Sequence, residues 1–128
     1  MIAPIATALS GALAQSERVG AAAANLANQS STGALSGRPA AYRAVGTGTV
    51  AQAGGGTLAV TRPVTPATRP AYDPSASYAD ARGLVDTPNV DSGKELLTLI
   101  SAELAYKTNL KVVRTADEMT RQILNLTA

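Results

Sequence analysis

The stretch from Asp91 to Ala128 constrains the fold of this chain more than any other part of its sequence. It has no proline and no glycine after Gly93, and it is rich in leucine, alanine, lysine, arginine and glutamate, which favour helix. Either Asp91 or Ser92 can cap its first turn, and Glu95 follows Ser92 at the spacing of a capping box. At ~1.5 Å per residue such a helix spans roughly 50 Å. The sequence therefore predicts an element longer than a small globular domain needs.

Apolar residues recur at steps of three and four along this predicted helix, which places them on one side. They form two adjacent seams and predict an apolar face broader than one partner helix covers. The alternative is a core helix of an ordinary bundle. Asn109 is the polar member of the first seam, and we interpret it as fixing helix register rather than as a functional polar group. The first seam comprises Ala102, Ala105, Asn109, Val112, Ala116, Met119, Ile123 and Leu126, and the second comprises Leu99, Tyr106, Leu110, Val113 and Leu124.

A second helix is predicted over residues 1–28, where the same stepping recurs and only Glu17 and Arg18 are charged. A helix without a charged face is usually buried on several sides. Four consecutive alanines, from Ala21 to Ala24, would let neighbouring backbones approach closely. The repeating positions of this helix are Ile2, Ile5, Leu9, Ala12, Ser16, Val19, Ala23 and Leu26.

The same segment has a rival interpretation as a secretory signal peptide. Ile2 to Leu13 could be its apolar region, and Ala12-Leu13-Ala14 has the small-x-small pattern of a cleavage site. However, no lysine or arginine precedes the apolar region, and the helical repeat continues past the cleavage site to Leu26. We therefore expect Met1 to Ala14 to remain on the functional protein.

The middle of the chain, residues 29–90, begins as a loop and is expected to contain a hairpin. Asparagine at the end of the first helix and glycine at position 33 suit a sharp helix exit. Valine and threonine predict short strands over Tyr42–Gln52 and Thr57–Thr61, joined by a turn at Gly54-Gly55-Gly56. The proline-rich stretch Arg62–Pro74 is predicted to be extended.

The end of this middle segment, Tyr78–Val90, is predicted to be a loop with a turn at Arg82-Gly83. The predicted fold is mainly α, with the N- and C-terminal helices paired as an antiparallel, coiled-coil-like core and a short irregular or β middle. Residues 1–28 and 91–128 together form the helical domain, and residues 29–90 form the middle segment. In the predicted pairing, Leu26 lies near Ala102.

The composition of the chain excludes several classes of function and indicates a subunit of a larger assembly. Hydrophobic residues make up 45% of the chain but aromatic residues only 3%, so the apolar side chains are mostly small and a large globular core is not available. We interpret the chain as a subunit that completes its burial against neighbours. It has no His and no Cys, and its basic residues form no dense patch, so we predict no catalytic residue, metal site, cofactor or nucleic-acid binding. No segment reaches the ~18 apolar residues of a membrane span, so we predict no membrane insertion.

Two sequence features resemble sites but have plainer interpretations. The triple glycine at residues 54–56 is not followed by the Lys-Ser/Thr of a phosphate-binding loop, so we interpret it as a turn. Asp86 and Asp91 are close enough in sequence to suggest a carboxylate pair, but we interpret them as a turn acid and a helix cap.

Three stretches carry a family resemblance. Ala24-Asn25-Leu26-Ala27-Asn28 with Thr32-Gly33 resembles the N-terminal signature of bacterial flagellar rod and hook proteins. The residues that follow it, up to Tyr42-Arg43, are similar to those of the family's proximal-rod members. Further similarity lies in Tyr72-Asp73-Pro74, Ala79-Asp80-Ala81, Gly83, Val85, Pro88-Asn89-Val90-Asp91, and in Glu103, Tyr106, Asn109 and Val112 of the long helix.

The resemblance implies a structural subunit of the proximal rod, the drive shaft that carries motor torque across the periplasmic space in the basal body. It implies export by the flagellar type III apparatus, and other copies and neighbouring proximal and distal rod proteins as partners. The main alternative is a secreted periplasmic binding protein with a cleaved signal peptide, and an enzyme is not expected.

The residues expected to carry this function fall into two groups. The first is an assembly interface formed by Ile2, Ile5, Leu9, Ala12, Val19, Ala23, Leu26, Leu99, Tyr106, Asn109, Val112, Ala116, Met119, Ile123 and Leu126. The second is a set of turn or family-motif residues, namely Asn25, Leu26, Ala27, Asn28, Thr32, Gly33, Pro88, Asn89, Val90 and Asp91.

Overall fold

A computed structural model describes residues 2–126 and the side chains of residues 4–125. Two helices lie at the ends of the chain, α1 over Ile2–Asn28 and α2 over Ser92–Leu126. Between them lie four short strands: β1 (Val45–Ala51), β2 (Thr57–Pro63), β3 (Thr68–Tyr72) and β4 (Leu84–Pro88). Residues 1, 127 and 128 of the predicted helical domain lie outside the described part. Neither helix, as far as it is described, is long and apolar enough to cross a membrane.

The first turn of α2 is capped by Asp91. Its Oδ1 accepts a 3.0 Å hydrogen bond from the backbone N–H of Lys94, and its carbonyl oxygen accepts one from Glu95. Of the two caps that the sequence allowed, the aspartate is the one used. The capping box does not form, because the Ser92 hydroxyl bonds the side chain of Gln29 and the Glu95 carboxylate turns towards α1.

The two helices pack antiparallel along most of α1. Near one end the Asn25 side chain of α1 bonds Glu95 of α2, and nearer the other end of α1 the backbone of Gly11 lies against the Asn109 side chain. Small residues allow the helices to come close: Ala8, Ala12, Ala22 and Ala102 are all buried. This arrangement agrees with the predicted helix direction.

The predicted register of the helix pair is wrong. We expected Leu26 to lie near Ala102, but the neighbouring Asn25 faces Glu95, about eight residues or roughly two turns earlier in α2. The Asn25 junction and the Gly11–Asn109 contact both require this shift. As a result, the first turn of α1 lies beside Met119, and α2 extends past it.

Strands β1 and β2 form an antiparallel hairpin with Val45 opposite Pro63 and Ala51 opposite Thr57. The predicted hairpin and its glycine turn are confirmed. Gly56 has a φ of 90° and lies so close to the Ser10 hydroxyl of α1 that a side chain there has no room. The backbone N–H of Thr57 donates to the same hydroxyl at 3.1 Å. The hairpin thus lies along α1, which is packed between it and α2.

Strands β3 and β4 form a second antiparallel hairpin, with Thr68 opposite Pro88 and Tyr72 opposite Leu84. The predicted loop over residues 78–90 is therefore wrong, although the turn at Arg82-Gly83 is present. Proline in both strands hid them, because proline cannot donate to a ladder and argues against a central strand. In a sheet of two strands both are edge strands, where proline is tolerated.

Candidate assembly surface

Among the residues that the structure describes, Asn25 has the most buried polar side chain, which is 1% exposed. Its Nδ2 donates hydrogen bonds to the carbonyl oxygen of Val45 at 2.7 Å and to Oε1 of Glu95 at 2.9 Å. Its Oδ1 accepts from the backbone N–H of Val45 at 3.0 Å and from the Tyr42 hydroxyl at 3.1 Å. Both donors and both lone pairs of the amide are used. One side chain therefore joins α1, the start of β1 and the first turn of α2.

The surroundings of this junction change the titration of Tyr42. Burial disfavours the phenolate, and the negative charge of Glu95 repels it, so the pKa of Tyr42 is raised from its ordinary value. The hydroxyl therefore keeps its proton, which it donates to Asn25, to a higher pH than an ordinary tyrosine would. The hydrogen-bonding geometry and the electrostatics of the junction favour the same arrangement.

The residues that follow α1 hold the chain at a fixed exit. Nδ2 of Asn28 donates to the carbonyl oxygen of Ala24 at 2.9 Å, and the Thr32 hydroxyl bonds that of Tyr78. Gly33 forms an antiparallel bridge with Asp86, with backbone hydrogen bonds of 2.9 and 2.8 Å. A Cβ at Gly33 would lie 2.6 Å from the carbonyl oxygen of Pro39, so no other residue fits there.

The residues before α2 are equally fixed. Pro88 is fully buried at the end of β4, and Asn89 donates a 3.0 Å hydrogen bond from Nδ2 to the carbonyl oxygen of Pro66. Val90 is half-buried, and Asp91 caps the helix. The structure brings both predicted family motifs to the bases of the two helices, where they position α1 and α2 relative to the strands.

Asn109 lies between the helices, as its place on the first seam suggested. Its Nδ2 donates to the carbonyl oxygen of Ala105 in its own helix, at 3.0 Å. Its side chain fills the space that the missing Cβ of Gly11 leaves, since an added Cβ would lie 2.9 Å from Oδ1. Contact between the helices at this point depends on shape rather than on a hydrogen bond across them.

The predicted interface residues divide between the inside and the outside of the subunit. Ala12 is buried against α2, whereas Leu9 is 50% and Met119 52% exposed. The side chains of Ile2 and Leu126 lie outside the described residues. Among the others, Ile5, Val19, Leu26, Leu99, Asn109 and Ala116 are half-buried, and Ala23, Tyr106, Val112 and Ile123 are exposed.

Sequence reasoning missed a second apolar surface on α2. Leu96, Leu97, Ile100 and Leu104 are 52%, 70%, 64% and 67% exposed, and we call them the leucine ridge. At 3.6 residues per turn they lie roughly opposite Ala102, which faces α1. The four-residue spacing of positions 96, 100 and 104 was the signal that could have found them.

Other features of the surface are less specific. An apolar groove of about 420 Å³ lies between Pro4 and the residues Val112, Ala116 and Met119. A cleft of about 250 Å³ where the helices meet β1 is lined by Arg18, among others. Within residues 2–126, no group of three acidic side chains comes together as a metal site would require. The prominent surfaces are thus apolar helix faces.

Comparison with known proteins identifies the family. Residues 81–126 match the family model described as the flagellar basal body rod FlgEFG protein C-terminal region. Over 119 residues the chain is 35% identical to flagellar basal-body rod protein FlgC of Escherichia coli, covering 88% of this chain and 87% of the relative. The chain belongs to the FlgC family of flagellar basal-body rod proteins. FlgC of Salmonella typhimurium is 34% identical over the same shares of the two chains. A 47-residue stretch is 47% identical to FlgG of Agrobacterium fabrum, covering 37% of this chain and 18% of that protein.

Membership of the FlgC family confirms the resemblance found in the sequence. The chain is a structural rod subunit of the flagellar basal body and not an enzyme. The alternative of a periplasmic binding protein receives no support from these relatives. The apolar faces of α1 and α2 are therefore candidate surfaces for assembly with other rod proteins.

Proposed function

We propose that this chain is a subunit of the proximal rod, that it polymerises through α1 and α2, and that it transmits motor torque. The observation that carries the proposal is the leucine ridge. These large side chains are more than half exposed on the face of α2 that α1 does not cover. Exposed apolar surface of this kind is typical of an interface.

The helix pair suits a load-bearing core. α2 has 35 described residues and therefore extends over about 52 Å. The antiparallel packing and the three-four stepping of its inner residues support a coiled-coil-like pairing. Close-packed interiors have low compressibility, so a core of such helices from many copies would resist twisting.

The division of the chain follows from the same arrangement. We propose that the helices, from residues 1–28 and 91–128, form the rod core, and that residues 29–90 lie outside it. The hydrogen bond from Nδ2 of Asn25 to the carbonyl oxygen of Val45 supports this division, because it ties the start of the strand-bearing segment to the base of the helices. The middle segment would then contact neighbouring rod proteins.

Family membership also supports proposals about the partners of the subunit and about its export. We propose that the subunit assembles with other copies and with other proximal and distal rod proteins, and that the flagellar type III apparatus exports it into the periplasmic space. The 47-residue stretch of similarity to FlgG supports the contact with other rod proteins. Continuous helix through Ala12 and Ala14, both 2% exposed, favours export without cleavage, because removing these residues would expose α2.

Imaging and motility test the proposal together. A label attached through Gly48→Cys should be tolerated, because an added side chain at this exposed strand position contacts nothing within the subunit. The labelled chain should restore swimming to cells that lack the wild-type chain and appear in the rod of purified basal bodies. Labelled protein that is soluble in the periplasm and absent from basal bodies would contradict the proposal.

A variant separates assembly from folding. Leu97→Ser and Ile100→Ser alter only exposed side chains, so the isolated subunit should keep its helix content while incorporation into basal bodies falls. The matched control is Gln122→Ser, an exposed position of α2 outside the leucine ridge. Normal incorporation of the ridge variants would remove the support that the ridge gives to the proposal.

A further inference from the structure

We infer that the leucine ridge of one copy packs on the outer face of α1 of a second copy, antiparallel, with Leu104 at Gly20. This inference rests on the proposed polymerisation and identifies the contact that produces it. The occupant of the ridge is a second copy of this chain, and the two surfaces in contact are different from each other. Four features of the subunit, together with the polarity of the assembly, support this contact.

The ridge cannot be covered within the chain. It lies on α2 roughly opposite Ala102, which is fully buried towards α1, and the β1–β2 hairpin lies along α1. Ile100 and Leu104 are nevertheless 64% and 67% exposed. A member of a rod family meets other copies of its own kind, and a neighbour is therefore available to cover this surface.

Gly20 is the second feature. Glycine inside a helix lowers its stability relative to alanine, so a glycine there needs a reason. At Gly11 the reason is visible, because the Asn109 side chain occupies the place of a Cβ. At Gly20 nothing of the subunit lies within 4 Å of that place. A close approach from outside the subunit would explain this residue.

The outer face of α1 around Gly20 fits the ridge by spacing. In an antiparallel pair with Leu104 at Gly20, Ile100 reaches Ala24 and Leu97 reaches Ala27. All three positions on α1 carry a hydrogen atom or a methyl group as side chain, so the larger ridge residues find room between them. Neither the ridge nor these three positions carry a charge that would have to leave water.

Charge agrees with the same register. Glu17 is the only acidic residue of α1, it is exposed, and it forms no salt bridge within the described residues. In the proposed pair it lies opposite Lys107, which in the subunit forms an exposed salt bridge with Glu103. Exposed pairs of this kind are weak, so Lys107 can also reach Glu17 of the neighbour.

The polarity of a helical polymer and the difference between the two contacting surfaces agree with this contact. Copies of a helical polymer whose helices run along its axis share one direction, so α2 of one copy is antiparallel to α1 of the next. A contact between two different surfaces leaves each surface free on opposite sides of the pair, and the assembly continues. A ridge packed on another ridge would instead close a two-fold dimer and stop growth.

Disulfide formation in assembled rods tests the contact, and the native chain has no cysteine to interfere. A chain carrying Gly20→Cys and Leu104→Cys has its two thiols on faces that point away from each other, so it cannot close a bridge within itself. On oxidation in purified basal bodies we expect a ladder of dimers, trimers and longer species. A chain with Gly48→Cys and Leu104→Cys should remain monomeric.

The outcomes are distinct. Monomers only, from a double-cysteine chain that is present in basal bodies, would overturn the inference and leave the proposed function intact. Dimers from a chain carrying Leu104→Cys alone would show ridge against ridge and would also overturn it. Absence of the wild-type chain from basal bodies would refute the proposed function itself.

A second variant covers the case in which the cysteine chain fails to assemble. Gly20→Leu adds a side chain into open space within the subunit, so the isolated protein should keep or raise its melting temperature. In the rod the same side chain blocks the ridge, and we expect loss of incorporation into basal bodies. Incorporation at the wild-type level would overturn the inference.

Discussion

Nδ2 of Asn25 lies 2.9 Å from Oε1 of Glu95, and this hydrogen bond joins the end of α1 to the first turn of α2. The same amide holds both backbone groups of Val45. The helices and the first strand therefore cannot move apart independently. A structural subunit that carries load needs such a junction, and here the middle segment of the chain is attached to the helix pair.

Replacing Asn25 with valine should be the most destabilising single polar change in the subunit. The variant leaves the backbone of Val45 and the Glu95 carboxylate without their partner, and unsatisfied buried groups cost about 1–3 kcal/mol each. We expect the free energy of unfolding, measured with urea, to fall by about 2–4 kcal/mol.

Asn28→Val is the matched control for this change. Asn28 makes a hydrogen bond within its own helix, to the carbonyl oxygen of Ala24. Loss of this bond should lower the free energy of unfolding by only about 0.5–1.5 kcal/mol. It should impair assembly because the chain would leave α1 in a less fixed direction. Equal losses for the two variants would mean that the Asn25 junction has no special role in stability.

The register of the helix pair can be measured with cysteines. Gly11→Cys combined with Asn109→Cys should form an intrachain disulfide under mild oxidation, since a Cβ at Gly11 would lie 3.1 Å from Cγ of Asn109 and a bridge needs Cα atoms within about 7 Å. Ala12→Cys with Ala116→Cys represents the register that we expected from the sequence and should not close. A disulfide in the Ala12→Cys, Ala116→Cys chain and none in the Gly11→Cys, Asn109→Cys chain would show that the register expected from the sequence is the correct one.

Two glycines of α1 provide a matched pair of substitutions. Gly11→Leu forces a side chain into the space that Asn109 fills, and such overpacking typically costs 1–3 kcal/mol. Gly20→Leu meets nothing in the subunit, and replacing a helical glycine should stabilise the isolated protein by up to about 1 kcal/mol. Thermal melts of the isolated variants measure both effects. A lower melting temperature for Gly20→Leu would show that the subunit itself needs this glycine.

The sequence predicted the helices well because their signals are local. The three-four stepping of apolar residues and the absence of proline extend over many residues, and caps mark the helix ends. As observed, α2 begins at Ser92, one residue after the predicted start at Asp91. The β1–β2 hairpin was predicted for the same reason, from a glycine turn between residues rich in valine and threonine. The N-terminal family signature also lies within one short stretch, from Ala24 to Gly33.

The helix register and the second hairpin could not be predicted because they depend on contacts distant in sequence. Several registers place small residues against small residues, and the choice is made by Asn25 and Glu95, which are 70 positions apart. Strand β4 carries Pro88 and pairs with a strand that carries Pro70. The leucine ridge was missed because we sought one broad apolar face, whereas α2 has apolar residues on opposite sides.

Stability should decline at high pH in a way that depends on Tyr42. Folding raises the pKa of this phenol above its ordinary value of 10.0, so the native state holds the proton more tightly than the unfolded chain. This contribution is present in full below pH 10 and is lost as the pH rises through the raised value.

Tyr42→Phe should remove this part of the decline. At neutral pH it should also lower the free energy of unfolding by about 0.5–1.5 kcal/mol, because the hydrogen bond to Asn25 is lost. Urea unfolding of both proteins at a series of pH values on either side of 10 measures the two effects. Equal slopes above pH 10 would mean that Tyr42 does not titrate differently in the two states.

The end of α2 should become ordered more firmly on assembly. The first turn of α1 lies beside Met119, so residues further along α2, such as the exposed Ile123, extend past the helix pair. Helix without tertiary packing opens locally at little cost in free energy. Hydrogen exchange of the isolated subunit should therefore be fast over residues 119–126 and slow over residues 98–112, and both segments should be protected in purified rods.

Residues 98–112 are the internal control for this measurement, because α1 packs on them in the isolated subunit as well. Equal protection of the two segments before assembly would mean that the end of α2 does not need a neighbour to be stable.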